Sequence, residues 1–260
     1  MIAAIPSTAY GWLMLAGIFV SIFLWSQMIR RDDRLVLVYV AALAGAFLGA
    51  KLVYLGAEGW LHWHDPNRWV ILATGKSVTG ALLGGYLAVE IAKRLLGYRG
   101  TTGDWFAVIV PVGIVLGRVG CILNGCCLGR ACEPSWFTMN DANGVARWPA
   151  ALVELLFNAL MLGVILMLRG RAGTPLPAVV RNVASGAHGV TRPTNNYVLA
   201  GQHFHIYLMA YGLFRFLHEF LRDTPQIVGP ISGYQIAALG IFALGAAGFA
   251  LRRQTTVPAT

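Results

Sequence analysis

The stretch Gly117-Arg118-Val119-Gly120-Cys121-Ile122-Leu123-Asn124-Gly125-Cys126-Cys127 decides how the rest of the chain is interpreted. It closes an apolar run that begins near Trp105, and it places the cation Arg118 inside that run. An unpaired arginine at the centre of a bilayer costs about 2.5 to 3.5 kcal/mol on insertion scales, whereas one leucine returns only about 0.5 kcal/mol. We therefore expect Arg118 to face the protein interior and to have an anionic partner.

The composition is that of an integral membrane protein. Of the 260 residues, 57% are hydrophobic and only 12% are charged, which is outside the usual range of soluble domains. Apolar stretches of roughly 20 residues are long enough to cross a bilayer, and we predict seven of them, at 9–29, 35–57, 78–97, 105–125, 149–168, 203–221 and 234–251. The predicted fold is an all-α polytopic membrane protein in which residues 1–260 form a single transmembrane domain.

The net charge of +9 follows membrane topology and does not indicate a nucleic-acid partner. With the N-terminus outside, basic residues such as Arg30, Arg34, Lys93, Arg169 and Arg252 all fall inside, as the positive-inside rule requires. The C-terminus is then also inside. No leader segment with a cleavage site precedes the first span, so we expect that span to be retained. The predicted location is a bacterial cytoplasmic (inner) membrane, crossed several times.

Three connecting segments differ in character. Residues 126–148 are polar and short, and they predict a small periplasmic cap. Residues 169–202 are rich in Gly, Pro, Asn and Arg, and they predict a flexible cytoplasmic loop. In 58–77, His62 and His64 alternate with tryptophans; metal binding is one interpretation, but a segment lying at the membrane interface is favoured.

All four cysteines of the chain, Cys121, Cys126, Cys127 and Cys132, lie near the outer end of the fourth span. An outward position in a bacterium is oxidising, so a disulfide such as Cys127 to Cys132 is one interpretation and a set of reactive thiols is another. Zinc is the least favoured, because no neighbouring Cys-x-x-Cys or histidine pair has zinc-finger spacing. The sequence therefore predicts no metal and no cofactor, and it leaves the state of the thiols open.

A second charged stretch lies in the sixth span. Tyr211, Arg215, His218, Glu219 and Arg222 recur at spacings of three and four residues, so they share one face of a helix. Two interpretations stay open: a purely structural pair between the arginine and the glutamate, or a site for an anionic head group. Guanidinium groups present forked donors that match phosphate oxygens.

Other polar residues within or beside spans have both a structural and a functional interpretation. Glu154 lies inside the fifth span, where it must be protonated or paired, and Arg118 is one candidate partner. Lys51 either extends toward the interface or holds an anion. Tyr10 is suited to an interfacial aromatic belt.

These motifs resemble the prolipoprotein diacylglyceryl transferase family. The resemblance rests on Gly117-Arg118-x-Gly120-x-x-x-Asn124-Gly125 and on Tyr211-Gly-x-Phe-Arg215, followed by Glu219 and Arg222. It implies that phosphatidylglycerol enters a seven-span protein and that its diacylglyceryl group moves to the lipobox cysteine thiol of a lipoprotein precursor, releasing glycerol phosphate.

The resemblance also implies site residues. By it, the catalytic group is Arg118, Arg215, Asn124 and Glu219. Donor phospholipid would be bound by Tyr10, Lys51, Thr79, Gly80, Gly120, Glu154, Tyr211, His218 and Arg222. The implied partners are an anionic phospholipid, the surrounding membrane lipids and a lipoprotein precursor.

Departures from the family pattern concern the activation of the acceptor. Thr79 stands where the family has a histidine in a Ser-Phe-His-Gly-Gly pattern, Cys121 replaces an asparagine, and Trp148 replaces the histidine before a proline. A hydroxyl cannot replace imidazole as a proton acceptor near neutral pH, although His218 could compensate. Two alternatives to a transferase therefore stay open: a protein that binds or moves phospholipid without catalysis, and a redox-active protein built on the cysteines.

Overall fold

The computed structural model describes residues 8–30, 32–170 and 199–255. Its helices are α1 Thr8–Ile29, α2 Arg34–Ala57, α3 Arg68–Thr74, α4 Val78–Leu95, α5 Gly103–Leu123, α6 Ala150–Gly170, α7 His203–His218 and α8 Gly233–Thr255. Residues 171–198, the greater part of the loop predicted to be flexible, lie outside the described residues. The predicted helical fold class is thus observed, with only short strands in the connections.

The number of spans differs from the prediction. Among the described residues, α1, α2, α5, α6 and α8 are long and apolar enough to cross a membrane, and α3 with α4 adds a sixth if this pair, bent by 55°, counts as one span. Helix α7 has 16 residues and is continued by a short 3₁₀ helix, Glu219–Leu221; it is not among the helices that meet the length and hydropathy required of a candidate span. A count of seven spans is therefore not confirmed.

Close backbone contact joins α2 to α4. A Cβ atom on Gly45 or Gly49 of α2 would collide with backbone or side-chain atoms of α4, and a Cβ on Gly80 or Gly84 would collide with carbonyl oxygens of α2. Small residues four apart on both helices allow this approach. These four glycines are here called the glycine seam. Position 80 requires glycine because any side chain there would collide with the backbone of α2.

The segment between α2 and α4 exposes three tryptophans, Trp60, Trp63 and Trp69. Exposed aromatic side chains are typical of segments that lie at a membrane interface. The Lys51 ammonium donates to the carbonyl oxygens of Leu72, Ala73 and Gly75 at the end of α3.

Helix α5 packs on α1 and α6, and α7 packs on α8. The buried aromatic residues Trp25, Phe106, Phe204 and Tyr207 fill the space between these helices. Asp104 lies in the first turn of α5 and accepts hydrogen bonds from the backbone N–H groups of Gly201 and His203 (2.7 and 3.3 Å). A carboxylate at that position stabilises the N-terminus of α7.

The segment 126–148, here called the cap, is held together by short strands and one arginine. Strands β1 (Met139–Asn140) and β2 (Ala146–Arg147) pair antiparallel. Arg147 Nε donates to Asp141 Oδ2 at 2.7 Å, and Arg147 Nη1 donates to Asp223 Oδ2 at 3.2 Å. Because Asp223 follows α7, this arginine fastens the cap to the end of that helix.

The cap also joins the ends of three helices through the backbone. Gly129 N donates to Trp148 O at 2.8 Å, and Arg130 N donates to Leu221 O at 3.0 Å. Beyond this contact, β3 (Gln226–Val228) and β4 (Ile231–Ser232) form a second short hairpin that leads into α8. The end of α5, the start of α6 and the end of α7 therefore meet at one place, here called the cap end of the bundle.

Candidate functional site

Arginines from two helices and the turn after α7 converge on one buried carboxylate. Glu154 of α6 is fully buried, and its Oε2 atom lies 2.8 Å from Arg118 Nη2. Arg215 Nη1 and Arg222 Nη1 each lie 3.9 Å from the same oxygen. The guanidinium groups that the sequence placed in separate spans therefore meet in one cluster.

A second carboxylate, that of Glu219, pairs with two of the three arginines. Glu219 Oε2 lies 2.9 Å from Arg215 Nη2 and 3.6 Å from Arg222 Nε. Three guanidinium groups against two carboxylates leave one positive charge, in a region where all five side chains are largely removed from solvent.

Several donors of the cluster are left without hydrogen bonds. The Nε and Nη1 groups of both Arg215 and Arg222 are buried and make no hydrogen bond to any described residue. Leaving buried donors unsatisfied costs about 1 to 3 kcal/mol each, and more when they are charged. A small anion with several acceptor oxygens is the group that would satisfy them.

Hydrogen bonds from neighbouring helices fix Glu154. Tyr211 donates its hydroxyl to Glu154 Oε1 at 2.8 Å. Asn158 donates to the Glu154 backbone carbonyl at 2.8 Å and accepts a hydrogen bond from the Tyr207 hydroxyl at 2.7 Å. Neither Asn158 nor Tyr207 was predicted from the sequence to belong to the site, although Asn158 lies four residues from Glu154 and Tyr207 lies four residues from Tyr211.

The environment of His218 determines which of its ring nitrogens carries the proton. Trp148 Nε1 lies 3.1 Å from His218 Nε2, and an indole N–H can only donate. His218 Nε2 must therefore accept, which leaves the ring neutral with its proton on Nδ1. The Nδ1 atom is buried and makes no hydrogen bond among the described residues. His218 in this state is a donor toward an anion and does not replace the missing family histidine as a proton acceptor.

Three of the four cysteines form a cluster beside Arg118. The Sγ atoms of Cys121, Cys126 and Cys127 all lie within 4.8 Å of one another, and Arg118 Nη1 donates to Cys121 Sγ at 3.7 Å. All four cysteines are free thiols, so the suggested disulfide between Cys127 and Cys132 is not formed.

The chain reverses direction within this group, here called the thiol cluster. Gly125 and Cys127 both adopt positive φ angles, of 61° and 60°, which turns the chain back toward the end of α5. Hydrogen bonds from the Cys121 and Cys126 thiols lower the pKa of Cys127, and the charges of Arg118 and Arg222 lower it further. Hydrogen bonds with the thiols of Cys121 and Cys127, together with burial, raise the pKa of Cys126.

Two other predicted residues lie near the end of α5. Gly120 is buried one turn before the end of the helix, and its carbonyl accepts the N–H of Asn124 at 3.0 Å. Asn124 is exposed where the helix ends. Both are therefore close in sequence to the thiol cluster and to Arg118, and their roles stay predictions.

The remaining predicted residues lie in or beside the first three predicted spans. Lys51 uses its three donors on α3, which accounts for its position without a bound anion. Thr79 is buried and shares a 2.6 Å hydrogen bond with Ser77, the N-cap of α4. The side chain of Tyr10 lies outside the described part of the chain.

A cavity of about 140 Å³ lies apart from this cluster. Its lining is mostly apolar and includes Tyr39 of α2, Phe106 of α5 and Phe204 of α7, with Glu90, His205 and Arg252 as polar members. None of the clustered arginines lines it. The chemistry described above therefore belongs to the cap end and not to this cavity.

Together, the fold and the site define a multi-pass α-helical membrane protein with a buried, cation-rich centre. A model of the family described as prolipoprotein diacylglyceryl transferase matches residues 1–251. The chain therefore belongs to the prolipoprotein diacylglyceryl transferase family.

Curated relatives carry the name phosphatidylglycerol–prolipoprotein diacylglyceryl transferase. The protein of Geobacter sulfurreducens is 29% identical over 252 residues, covering 91% of this chain and 87% of its own length. Those of Pseudoalteromonas atlantica and Methylococcus capsulatus are each 28% identical, covering 84% and 82% of this chain and 69% and 76% of their own lengths. The resemblance inferred from the arginine motifs is thus confirmed at the level of the family.

Proposed function

We propose that the chain transfers the diacylglyceryl group of phosphatidylglycerol to a cysteine thiol of a lipoprotein precursor in the bacterial cytoplasmic membrane. The names of the relatives support this donor and acceptor. The observation that carries the proposal is the buried cluster, which has one excess positive charge and unsatisfied guanidinium donors.

The reaction requires a sulfur nucleophile and a phosphate leaving group. The acceptor thiolate attacks the glycerol carbon that bears phosphate, so a C–S bond forms while the C–O bond to phosphate breaks. The bonding electrons leave with glycerol phosphate, which therefore gains negative charge. Donors already aimed at that charge are worth about 10²- to 10³-fold in rate.

The contacts of the clustered residues support a role for each in this reaction. Arg118 and Arg215 bind the phosphate and stabilise its growing charge, and Arg222 supplies further donors. Glu154 and Glu219 hold the three guanidinium groups in place, and Tyr211 fixes Glu154. His218 donates its Nδ1–H to a phosphate oxygen. A role for Asn124 in contacting the head group is implied by the family resemblance alone.

Turnover with defined substrates tests the proposal. Purified protein is mixed with phosphatidylglycerol vesicles and a lipobox peptide, and mass spectrometry follows formation of the thioether peptide. We expect product with the cysteine peptide and none with a peptide in which serine replaces that cysteine. If glycerol phosphate is not released and the peptide stays unmodified, while phospholipid still co-purifies, the protein binds lipid without catalysis and the proposal fails.

Substitution of Arg118 by lysine isolates the contribution of its forked donors. Arg118→Lys keeps the charge but loses the geometry that pairs with Glu154 and with a phosphate at once, so we expect turnover to fall about 100-fold. Arg68→Gln, an exposed arginine on α3, serves as the control and should retain wild-type turnover. Equal losses in both variants would contradict a specific role for Arg118.

A further inference from the structure

The thiol cluster lies beside the arginine that binds phosphate in the proposed reaction. Its three Sγ atoms lie within 4.8 Å of one another. Three sulfurs bound to one tetrahedral metal at about 2.3 Å are about 3.8 Å apart. Small side-chain rotations would therefore bring Cys121, Cys126 and Cys127 around a single ion.

Sulfur ligands select thiophilic metals. Thiolates favour Zn²⁺ and Cu(I) over the hard cations that prefer oxygen. Among the described residues, this group contains only the three cysteines. Zinc sites with three protein ligands keep the fourth tetrahedral position open for water or substrate, and such sites are catalytic.

The cluster is open on one side. Cys121 is buried, Cys126 is half-buried and Cys127 is exposed. An ion held by the three sulfurs would therefore be reached from the side on which Cys127 lies. This is the cap end of the bundle, which in the predicted orientation faces the outside of the membrane, where a lipoprotein precursor would arrive.

From this geometry we infer that Cys121, Cys126 and Cys127 bind one Zn²⁺ ion whose open position takes the acceptor thiol. The inference rests on the proposed function for the identity of that thiol. A thiol that coordinates zinc gives up its proton, which would replace the activation that Thr79 cannot provide. Arg118 contacts both the thiol cluster, which would activate the acceptor, and the arginine cluster, which would bind the donor phosphate. Its Nη1 lies 3.7 Å from Cys121 Sγ, and its Nη2 lies 2.8 Å from Glu154 Oε2.

In the resulting step, the acceptor thiol displaces a water from Zn²⁺ and releases its proton. Its sulfur attacks the glyceryl carbon bearing phosphate, the C–S bond forms and the C–O bond breaks. The electron pair leaves on glycerol phosphate, which takes up the proton, and the thioether product, a weaker ligand than a thiolate, leaves the metal. No oxidant or reductant is consumed.

Metal binding can be tested apart from turnover. Full-length protein in detergent is reduced with a phosphine, stripped with a chelator and incubated with Zn²⁺ alone, and bound zinc is measured by mass spectrometry after removal of excess. We expect one ion per chain in the wild type and in the matched control Cys132→Ser. Binding should weaken at least about 10-fold in Cys121→Ser, Cys126→Ser and Cys127→Ser, because even outer-shell changes cost 10- to 100-fold.

Cobalt reports on the open position. Co²⁺ in place of Zn²⁺ gives a thiolate charge-transfer spectrum, and we expect a lipobox cysteine peptide, but not the serine peptide, to change it. Zinc bound equally well by Cys127→Ser and wild type would overturn the inference. The inference would also be overturned if a disulfide were found within the thiol cluster and its reduction did not produce zinc binding.

Turnover separates this inference from the proposed function. If peptide modification proceeds at the wild-type rate after chelation and in Cys127→Ser, the zinc inference fails and the transferase stands. If zinc binds through the three thiols and no peptide is modified under any condition, the metal site stands and the proposed acceptor fails. Because the chelation arm uses wild-type protein, it gives an answer even if a serine variant does not fold.

Discussion

At the residue scale, Glu154 determines the charge state of the cluster. It is fully buried, it accepts from Tyr211, and it lies within ion-pair distance of three arginines. Ion pairs in such surroundings do not always add net stability, but removing one partner leaves the others uncompensated. Glu154 therefore acts mainly by compensating the positive charges of three arginines together, and less through any single ion pair.

Replacing Glu154 by glutamine should destabilise the protein strongly. Glu154→Gln preserves shape and an acceptor for Tyr211 but leaves three guanidinium groups opposite Glu219 alone, so we expect a loss of about 3 to 5 kcal/mol, measured by reversible denaturation in detergent. Glu133→Gln, at an exposed position of the cap, should change stability little. A small effect at Glu154 would show that its carboxyl group is not ionised in the folded protein.

The contact between Trp148 and His218 leads to a second prediction at this scale. Because the indole N–H occupies His218 Nε2, the ¹⁵N spectrum of ring-labelled protein should show His218 neutral and protonated on Nδ1 at neutral pH. Trp148→Phe removes the donor and should allow the other tautomer or the protonated ring. Phe137→Leu, which changes another aromatic contact of Trp148, is the control and should leave the His218 signals unchanged. A doubly protonated His218 in the wild type would contradict the assignment.

At the element scale, the glycine seam sets the distance between α2 and α4. Gly49→Ala inserts a methyl group where carbonyl and Cα atoms of α4 already lie, and overpacking of this kind costs about 1 to 3 kcal/mol. Gly56→Ala on the same helix meets nothing within 4 Å and should be neutral or slightly stabilising. Thermal unfolding in detergent measures both, and similar melting temperatures for the two variants would contradict the seam.

The positions of the helices were predicted from the sequence better than the contacts between them. Hydrophobic runs placed the helices within a few residues, since burial in a bilayer requires long apolar stretches. The predicted span ended three residues beyond α7 because Glu219–Leu221 continue its helical pattern as a 3₁₀ helix, which Arg222 follows. Spacing alone also could not show that Asp104 caps α7 or that Lys51 binds the end of α3, because such contacts depend on how helices far apart in sequence pack together.

The candidate site was predictable to a similar degree. A buried arginine must have an anion, so Arg118 and Glu154 stood out from their positions in apolar spans. The clustering of three thiols could not be read from a Cys-x₄-Cys-Cys spacing, because it depends on the positive φ angles at Gly125 and Cys127. The tautomer of His218 could not be predicted either, because it is set by Trp148, 70 residues away in the sequence.

At the scale of the whole molecule, the cap assembles the site by joining α5, α6 and α7 at one end. Arg147 is central to it, with hydrogen bonds to Asp141, Asp223 and the Gly129 carbonyl. Its hydrogen bond lowers the pKa of Asp141 below the ordinary value of 3.8. The ionised form of Asp141 is therefore favoured by folding, and its contribution to stability is present above pH 3.8 and is lost as the pH falls through the lower folded-state pKa.

Acidification should remove the stabilisation that Arg147 provides through its ion pair with Asp141. Arg147→Gln should lower the melting temperature by a few degrees at neutral pH, and the difference from wild type should stay constant down to about pH 5 and shrink below the ordinary pKa of aspartate. Lys76→Gln removes the same charge from an exposed position and should show neither effect. A difference between Arg147→Gln and wild type that grows on acidification would have the wrong sign for this linkage.

The hydrogen bonds of Asp104 have a consequence for sequence change along the two arginine-bearing helices. Asp104 ties the start of α5 to the start of α7, while the pairing of Gly129 with Arg222 ties their far ends. Each helix is thus fastened twice, and one added residue between the fastenings would rotate the following side chains by about 100°. We therefore expect an inserted or deleted residue between the two fastenings to disrupt the arginine cluster more than a substitution at an exposed position does.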